Sequence, residues 1–310
     1  MELETNESIL SQILAPDVEL EQMLGGFDFT EGPIWHPTER ALIFSDIMGN
    51  SIYRWEVDGD DDDCFTQLRR NSYLSNGNAF DHQGRVITCE HGTSRLTRSN
   101  FAQCDPMTNE GLEVLATHYG DKQLNSPNDV IVKSDGAIYF TDPGSGRSMV
   151  HGMPRDMELD FRGVYRLDPV TGDLRVVAQE IDWPNGLCFS LDESQLFVAN
   201  SREYNIYRFD VLADGSLTNG VIWAETEGDG PGVPDGMKID EQGNLYCCAQ
   251  GGIHIFDPDG DCLGIIQMPE QCANLVFGDD DLCGLYITAT TSVYRLRVEI
   301  PGHPTFKGVA

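Results

Sequence analysis

Residues 185–210 read NGLCFSLDESQLFVANSREYNIYRFD: a polar head, an apolar run, a polar turn, a second apolar strand, another turn and a third strand. Alternating β-branched and aromatic residues in QLFVAN and NIYRF, bounded by polar turns, are strand and hairpin signals. The pattern recurs from Glu31 (EGPIWHPTERALIFSDIMGNSIYRW), Asn76 (NGNAFDHQGRVITCEHGTSRLTR) and Asn128 (NDVIVKSDGAIYFTDP, closing with GVYRLDP). It recurs again from Asp235 (DGMKIDEQGNLYCCAQGGIHIFDPDG) and Asn274 (NLVFGDDDLCGLYITATTSVYRL). The six heads lie on average about 49 residues apart, the length of a four-stranded propeller blade. No stretch beyond the first fifteen residues keeps a helical period. Sheets that cannot bury both faces alone are satisfied by stacking radially around a channel. The predicted fold is all-β, a six-bladed β-propeller with four-stranded blades around a central metal site. Residues 1–310 are read as one domain, with 1–26 peripheral or helping to close the ring.

The chain has 310 residues, with 51 acidic against 20 basic side chains and a formal net charge of -31. Such a charge repels nucleic acid and anionic membranes, so neither is expected as a partner. The 32 glycines favour many tight turns over a few long helices. Only Lys122, Lys133, Lys238 and Lys307 are lysines, and an acidic, lysine-poor surface fits either a salty habitat or simple solubility. The nine cysteines form no CxxC pair and no Cys/His zinc pattern, so buried free thiols are expected. The opening stretch MELETNESILSQIL lacks a basic n-region and an apolar run long enough for a signal peptide or membrane span. Both observations fit a reducing cytoplasm.

If the first strand of each copy lines the channel, Glu31, Asn76, Asn128, Asn185, Asp235 and Asn274 all enter one axial mouth. Each carries a side-chain oxygen, and only Glu31 and Asp235 are acids. Two negative charges plus several amide carbonyls suit one hard divalent cation: calcium first, with magnesium, manganese or zinc as alternatives. Turn chemistry gives a plainer account of any single head, because NG, ND and DG are common hairpin dipeptides. That account weakens where EGP, SPN, WPN and VPD each set a proline beside a head.

Three motif pairs and a single motif carry a resemblance: EGPIW with FSDI, NSPNDV with YFTDP, PNGLCFSLDE with VANS, and PDGMKIDEQGNLY. In this order and at blade spacing, over roughly residues 27 to 260, they resemble the gluconolactonase and regucalcin (SMP-30) family. The resemblance implies a six-bladed propeller and a divalent metal bound by Glu31, Asn185 and Asp235, with Asn128 close to metal or substrate. Some members of that family carry an arginine two residues before the PND asparagine that contacts a sugar lactone; here Ser126 stands there. The NSPND version and the CEHG around His91 are closer to the bacterial and fungal gluconolactonase branch, which implies a histidine near the substrate mouth.

The expected activity is metal-dependent hydrolysis of a small-molecule lactone. The cation polarises the carbonyl, and Asp235 takes a proton from water or orients it. Asn76, Asn128 and His91 are the candidate substrate contacts, although a hydrogen-bonded structural role accounts for His91 as well. A calcium-binding scaffold without turnover, or a hydrolase of another small electrophile, are the competing readings. No head position is arginine, which excludes the arginine cluster a sialidase-like propeller needs. Asp142 of TDPG and Asn200 of VANS end second strands, where either could reach the mouth. The acidic run at 58–63 is read as a solvated turn, because it lacks the glycine and distal glutamate of a calcium loop. Residues 145–163, a longer connection within the third copy, are read as a lid or specificity loop.

Overall fold

Six four-stranded antiparallel sheets are arranged as a six-bladed β-propeller. The computed structural model describes residues 12–14, 17–59, 64–306 and 308. Counting strands outward from the axis, blade 1 comprises Thr30–His36, Ala41–Asp46, Ser51–Glu56 and Phe65–Arg69. Blade 2 comprises Ser75–Phe80, Val86–Glu90, Arg95–Ser99 and Glu113–Ala116, and blade 3 Val130–Val132, Ile138–Asp142, Gly163–Leu167 and Leu174–Ala178. Blade 4 comprises Pro184–Phe189, Gln195–Asn200, Asn205–Val211 and Leu217–Glu225, and blade 5 Met237–Ile239, Leu245–Ala249, Gly252–Phe256 and Cys262–Gln267. Blade 6 takes Cys272–Gly278, Gly284–Ala289 and Ser292–Arg297 from the C-terminal part of the chain. Its outer strand, Glu21–Gly25, comes from the N-terminal part and pairs antiparallel with Ser292–Arg297. Residues 60–63 of the acidic run, and 1–11, 15 and 16 of the N-terminal segment, lie outside the described residues.

The second strand of each blade is buried on both faces, which explains its near-continuous apolar reading. Alternate residues feed alternate blade interfaces. Tyr139 packs between blades 3 and 4 while Phe140 packs between blades 2 and 3. Cys247 faces blade 4 and Cys248 faces blade 6, so the adjacent thiols point apart. All nine cysteines are free; Cys262 is exposed and Cys64 half-buried, against the expectation of uniformly buried thiols.

At the axis the neighbouring inner strands meet almost backbone to backbone. Glu31, Asn76, Asn185 and Asp235 are each followed by glycine, and each glycine faces the head of the next blade. A Cβ placed on Gly77 would lie 2.6 Å from the Asn128 carbonyl oxygen. One on Gly32 would strike the Asn76 carbonyl, one on Gly186 the Asp235 carbonyl, and one on Gly236 the Asn274 side chain. The head–glycine pairs are therefore a packing requirement of the ring and not hairpin turns. Three of these strands carry an irregular register just past the head, at Glu31/Ile34, Ser75/Asn78 and Pro184/Leu187, which re-aims the head side chain.

Gly186→Ala is expected to destabilise the fold by about 1–3 kcal/mol through overpacking. Urea unfolding followed by far-UV circular dichroism measures it, and an unchanged midpoint would mean that the strands need no such approach.

Candidate active site

A cavity of about 420 Å³ opens at the head end of the inner strands, and its lining includes Glu31, Asn76, Asn128, Asn185, Asp235 and His91. Five of the six heads thus share one mouth. Asn274 does not line it: it sits behind Glu31, donating from Nδ2 to Glu31 Oε2 at 3.1 Å. Glu31 Oε2 also accepts from the Gly32 N–H.

The two acids are held where water cannot screen them. Burial, then the Asp129 charge, pushes the Glu31 carboxyl up to about 7, against the opposing Gly32 N–H, Asn274 amide and Lys238 ammonium. Asp235 is raised well above the usual carboxylate range by burial, then by the charges of Glu31 and Asp129. Two buried carboxylates this close resist ionising together unless a cation joins them.

Beside them stand two amide oxygens with nothing to accept. Asn185 donates from Nδ2 to Ser201 Oγ at 2.9 Å, and its buried Oδ1 has no hydrogen-bond partner among the described residues. Asn76 donates from Nδ2 to His91 Nε2 at 3.1 Å, and its Oδ1 is equally buried and unpartnered. Buried oxygens without donors are costly unless something else satisfies them. Among the described residues no three His, Cys, Asp or Glu side chains gather as a cage, so amide oxygens must complete any ligand set. Two carboxylates and two orphaned amide oxygens form an all-oxygen donor set that fits a hard divalent cation and not a soft one.

His91 lines the cavity with both ring nitrogens engaged. Nδ1 donates to the His151 carbonyl at 2.9 Å and Nε2 accepts from Asn76, which fixes one neutral tautomer. Burial pushes its pKa down to about 4. The ring therefore orients Asn76 and ties it to the 145–163 connection.

That connection forms part of the cavity wall through Ser145, Ser148, Val150 and His151. Two arginines pin it down, with no carboxylate partner among the described residues. Arg147 donates to the carbonyls of Leu124, at 2.7 Å, and of Asn125 and Asp156. Arg155 reaches the His91 carbonyl at 2.6 Å. The apolar tips Met149 and Met153 remain exposed.

Other expected positions serve the backbone. Asp142 accepts from the amides of Asn125 at 2.7 Å and Ser126, and burial raises its carboxyl to about 7. Asn200 accepts from the Trp183 amide at 3.1 Å. Neither lines the mouth. Ser126 is buried and accepts from the Gly146 amide at 2.9 Å.

The mouth also contains residues that the repeat did not single out, among them Phe29, Trp183 and Arg202. Arg202 and Arg162 each place their guanidinium 4.5 Å from the Trp183 ring centre. Trp183 stands two residues before Asn185 in WPN and Arg202 two after Asn200, so proximity to heads and strand ends was their only signal.

The sequence profile of the SMP-30/Gluconolactonase/LRE-like region matches residues 29–291. The chain is 32% identical to a gluconolactonase of Zymomonas mobilis, over 94% of this chain and 85% of the relative. It is 26% identical to a pentonolactonase of Haloferax volcanii, over 89% and 93%. A gluconolactonase structure from Xanthomonas campestris superposes with a TM-score of 0.85 at 35% identity, covering 96% of this chain and 94% of that one. With a match that runs through every blade and includes all six head residues, the chain belongs to the SMP-30/gluconolactonase/LRE-like family.

Proposed function

We propose that the chain hydrolyses a small sugar lactone with the help of one divalent cation held at the axial mouth. One observation carries the reading: two buried carboxylates and two unpartnered amide oxygens converge in a cavity of about 420 Å³, in a chain whose relatives include a gluconolactonase and a pentonolactonase. Glu31, Asn185 and Asp235 would hold the cation, with Asn76 or Asn128 completing the oxygen set. Calcium suits this set best, because it accepts carboxylate and amide oxygens in flexible geometry; magnesium, manganese and zinc are the alternatives to test. Bound there, the cation supplies Lewis-acid polarisation and counter-charge for the developing oxyanion.

The chain's own residues do the rest. Asp235 takes a proton from a water, whose oxygen adds to the lactone carbonyl carbon. The ring C–O bond then breaks, the ring oxygen takes the proton back from Asp235, and the new carboxyl group releases its own proton to solvent, giving a hydroxy carboxylate. Asn128 and Asn76 offer amides to the substrate hydroxyls, and His91 acts through Asn76 instead of touching the lactone. With Ser126 turned into the protein, polar contacts to the sugar fall to other residues of the mouth, among them Trp183 and Arg202 on the neighbouring blade 4. The connection 145–163 narrows the entrance as a lid. The nine free thiols favour a reducing compartment such as the cytoplasm.

Asp235→Asn keeps size and one oxygen ligand but removes the base. Lactone hydrolysis, followed by proton release, should fall by about 100-fold or more while the thermal melt stays cooperative. Turnover near wild type would end the proposed role of Asp235.

The raised carboxyls make stability depend on pH in a stated direction. A Glu31 that titrates near 7 when folded and near 4.5 when unfolded contributes stability present below 4.5 and lost as pH rises through 7. Asp142 adds in the same direction, so the effect of a cation, and not the slope alone, reads the axial pair. With chelator present the melting temperature should fall between pH 4.5 and 7. Added calcium should restore much more at pH 8 than at pH 5, and equal stabilisation at both values would contradict the ligand assignment.

A further inference from the structure

We infer that Lys238 is a built-in cation of the axial site, which sets the site's charge to match one divalent ion; this rests on the metal reading above. Lys238 lies on the inner strand of blade 5 and is nine-tenths buried. Its Nζ donates to Asn274 Oδ1 at 3.3 Å and to the Met237 carbonyl at 3.1 Å. Asn274 in turn donates from Nδ2 to Glu31 Oε2. The ammonium and the Leu275 amide, which donates to the same Oδ1 at 2.9 Å, together fix which way the Asn274 amide faces, and Asn274 fixes one oxygen of Glu31.

A second irregularity in the ring belongs with it. Glu31, Asn76, Asn185 and Asp235 are followed by glycine, but Asn128 is followed by Asp129. The Asp129 side chain is buried: its Oδ1 accepts from the Val130 amide at 2.9 Å, and its Oδ2 has no hydrogen-bond partner among the described residues. An extra carboxylate and an extra ammonium thus occur together below the mouth. With a cation bound and all three carboxyls ionised, Glu31, Asp129 and Asp235 supply three negative charges, Lys238 one positive, and the net of two equals the charge of a divalent ion. Buried charges that lack a partner are strongly unfavourable, so this balance governs which ion the site accepts.

Lys238 also lines a separate cavity of about 450 Å³ at the far ends of the inner strands, walled by Ile34, Phe80, Val130, Phe189 and Phe306. It is a positioning and selectivity residue, with no contact to substrate.

The test compares terbium(III) with calcium(II) affinity by luminescence and calorimetric titration of the purified full chain. Lys238→Met leaves a net charge of minus three and should raise the terbium-to-calcium affinity ratio by about tenfold or more at an effective interior dielectric. Lys238→Met combined with Asp129→Asn returns the net to minus two and should bring the ratio back to the wild-type value. Lys238→Gln, which keeps a donor for Asn274 without the charge, should behave as Lys238→Met and stands in for it if the methionine variant does not fold. An unmoved ratio in the single variants, or a moved ratio that the double variant fails to restore, overturns the inference while leaving the metal reading intact. A wild-type chain that binds neither ion overturns both.

Discussion

The close approach of the inner strands at the propeller axis is the constraint from which the rest follows. Glycine after four of the six heads lets one strand's backbone press against the head of the next. That contact brings Glu31, Asn185 and Asp235 from three separate blades, spread over more than half the chain, into one mouth. It also removes water from around them, and with water goes the screening that lets like charges sit together. The raised carboxyls of Glu31 and Asp235 are the electrostatic expression of a backbone packing requirement.

What makes the packing affordable is the interior between blades. Each neighbouring pair of blades buries its own apolar cluster, such as Ile34, Ile43, Ile52, Phe80 and Val86 between blades 1 and 2. The ring is joined across the chain's two ends where Glu21–Gly25 pairs with Ser292–Arg297. A scaffold held at every blade interface can tolerate an unfavourable cluster of charge and orphaned oxygens at its centre. The wall of the mouth is fixed in a different way. Arg147 and Arg155 hold the 145–163 connection by donating to backbone carbonyls, and His91 links that connection to Asn76.

The six blades were legible because each second strand, buried on both faces, reads as a near-continuous apolar run, and because four of the six third strands carry a YR pair. The outer strands were less legible: they have one solvated face and weak patterning, as in FTQLR and EQMLG. Heads on inner strands could be named because they recur at blade spacing, but spacing carries no depth, so Asn274 read as equivalent to Asn185 although it supports Glu31 from behind. Asp142 and Asn200 sit at equivalent strand ends and read as candidates; their side chains instead satisfy the amides of Asn125, Ser126 and Trp183, a choice made by tertiary contacts. Asp129 and Lys238 lie within NSPNDV and PDGMKIDEQGNLY, where spacing alone does not set them apart from solvent-facing strand residues. Only the folded ring shows that both are buried beneath the mouth.

The most direct measurement is proton release from a panel of five- and six-membered sugar lactones by purified protein, after exhaustive chelation and again after adding back calcium, magnesium, manganese or zinc. Hydrolysis that disappears on chelation and returns with one or more of these ions is the expected result. Undiminished hydrolysis in the chelated protein, or none with any pairing of ion and lactone, would contradict a cation-dependent lactonase at this axis.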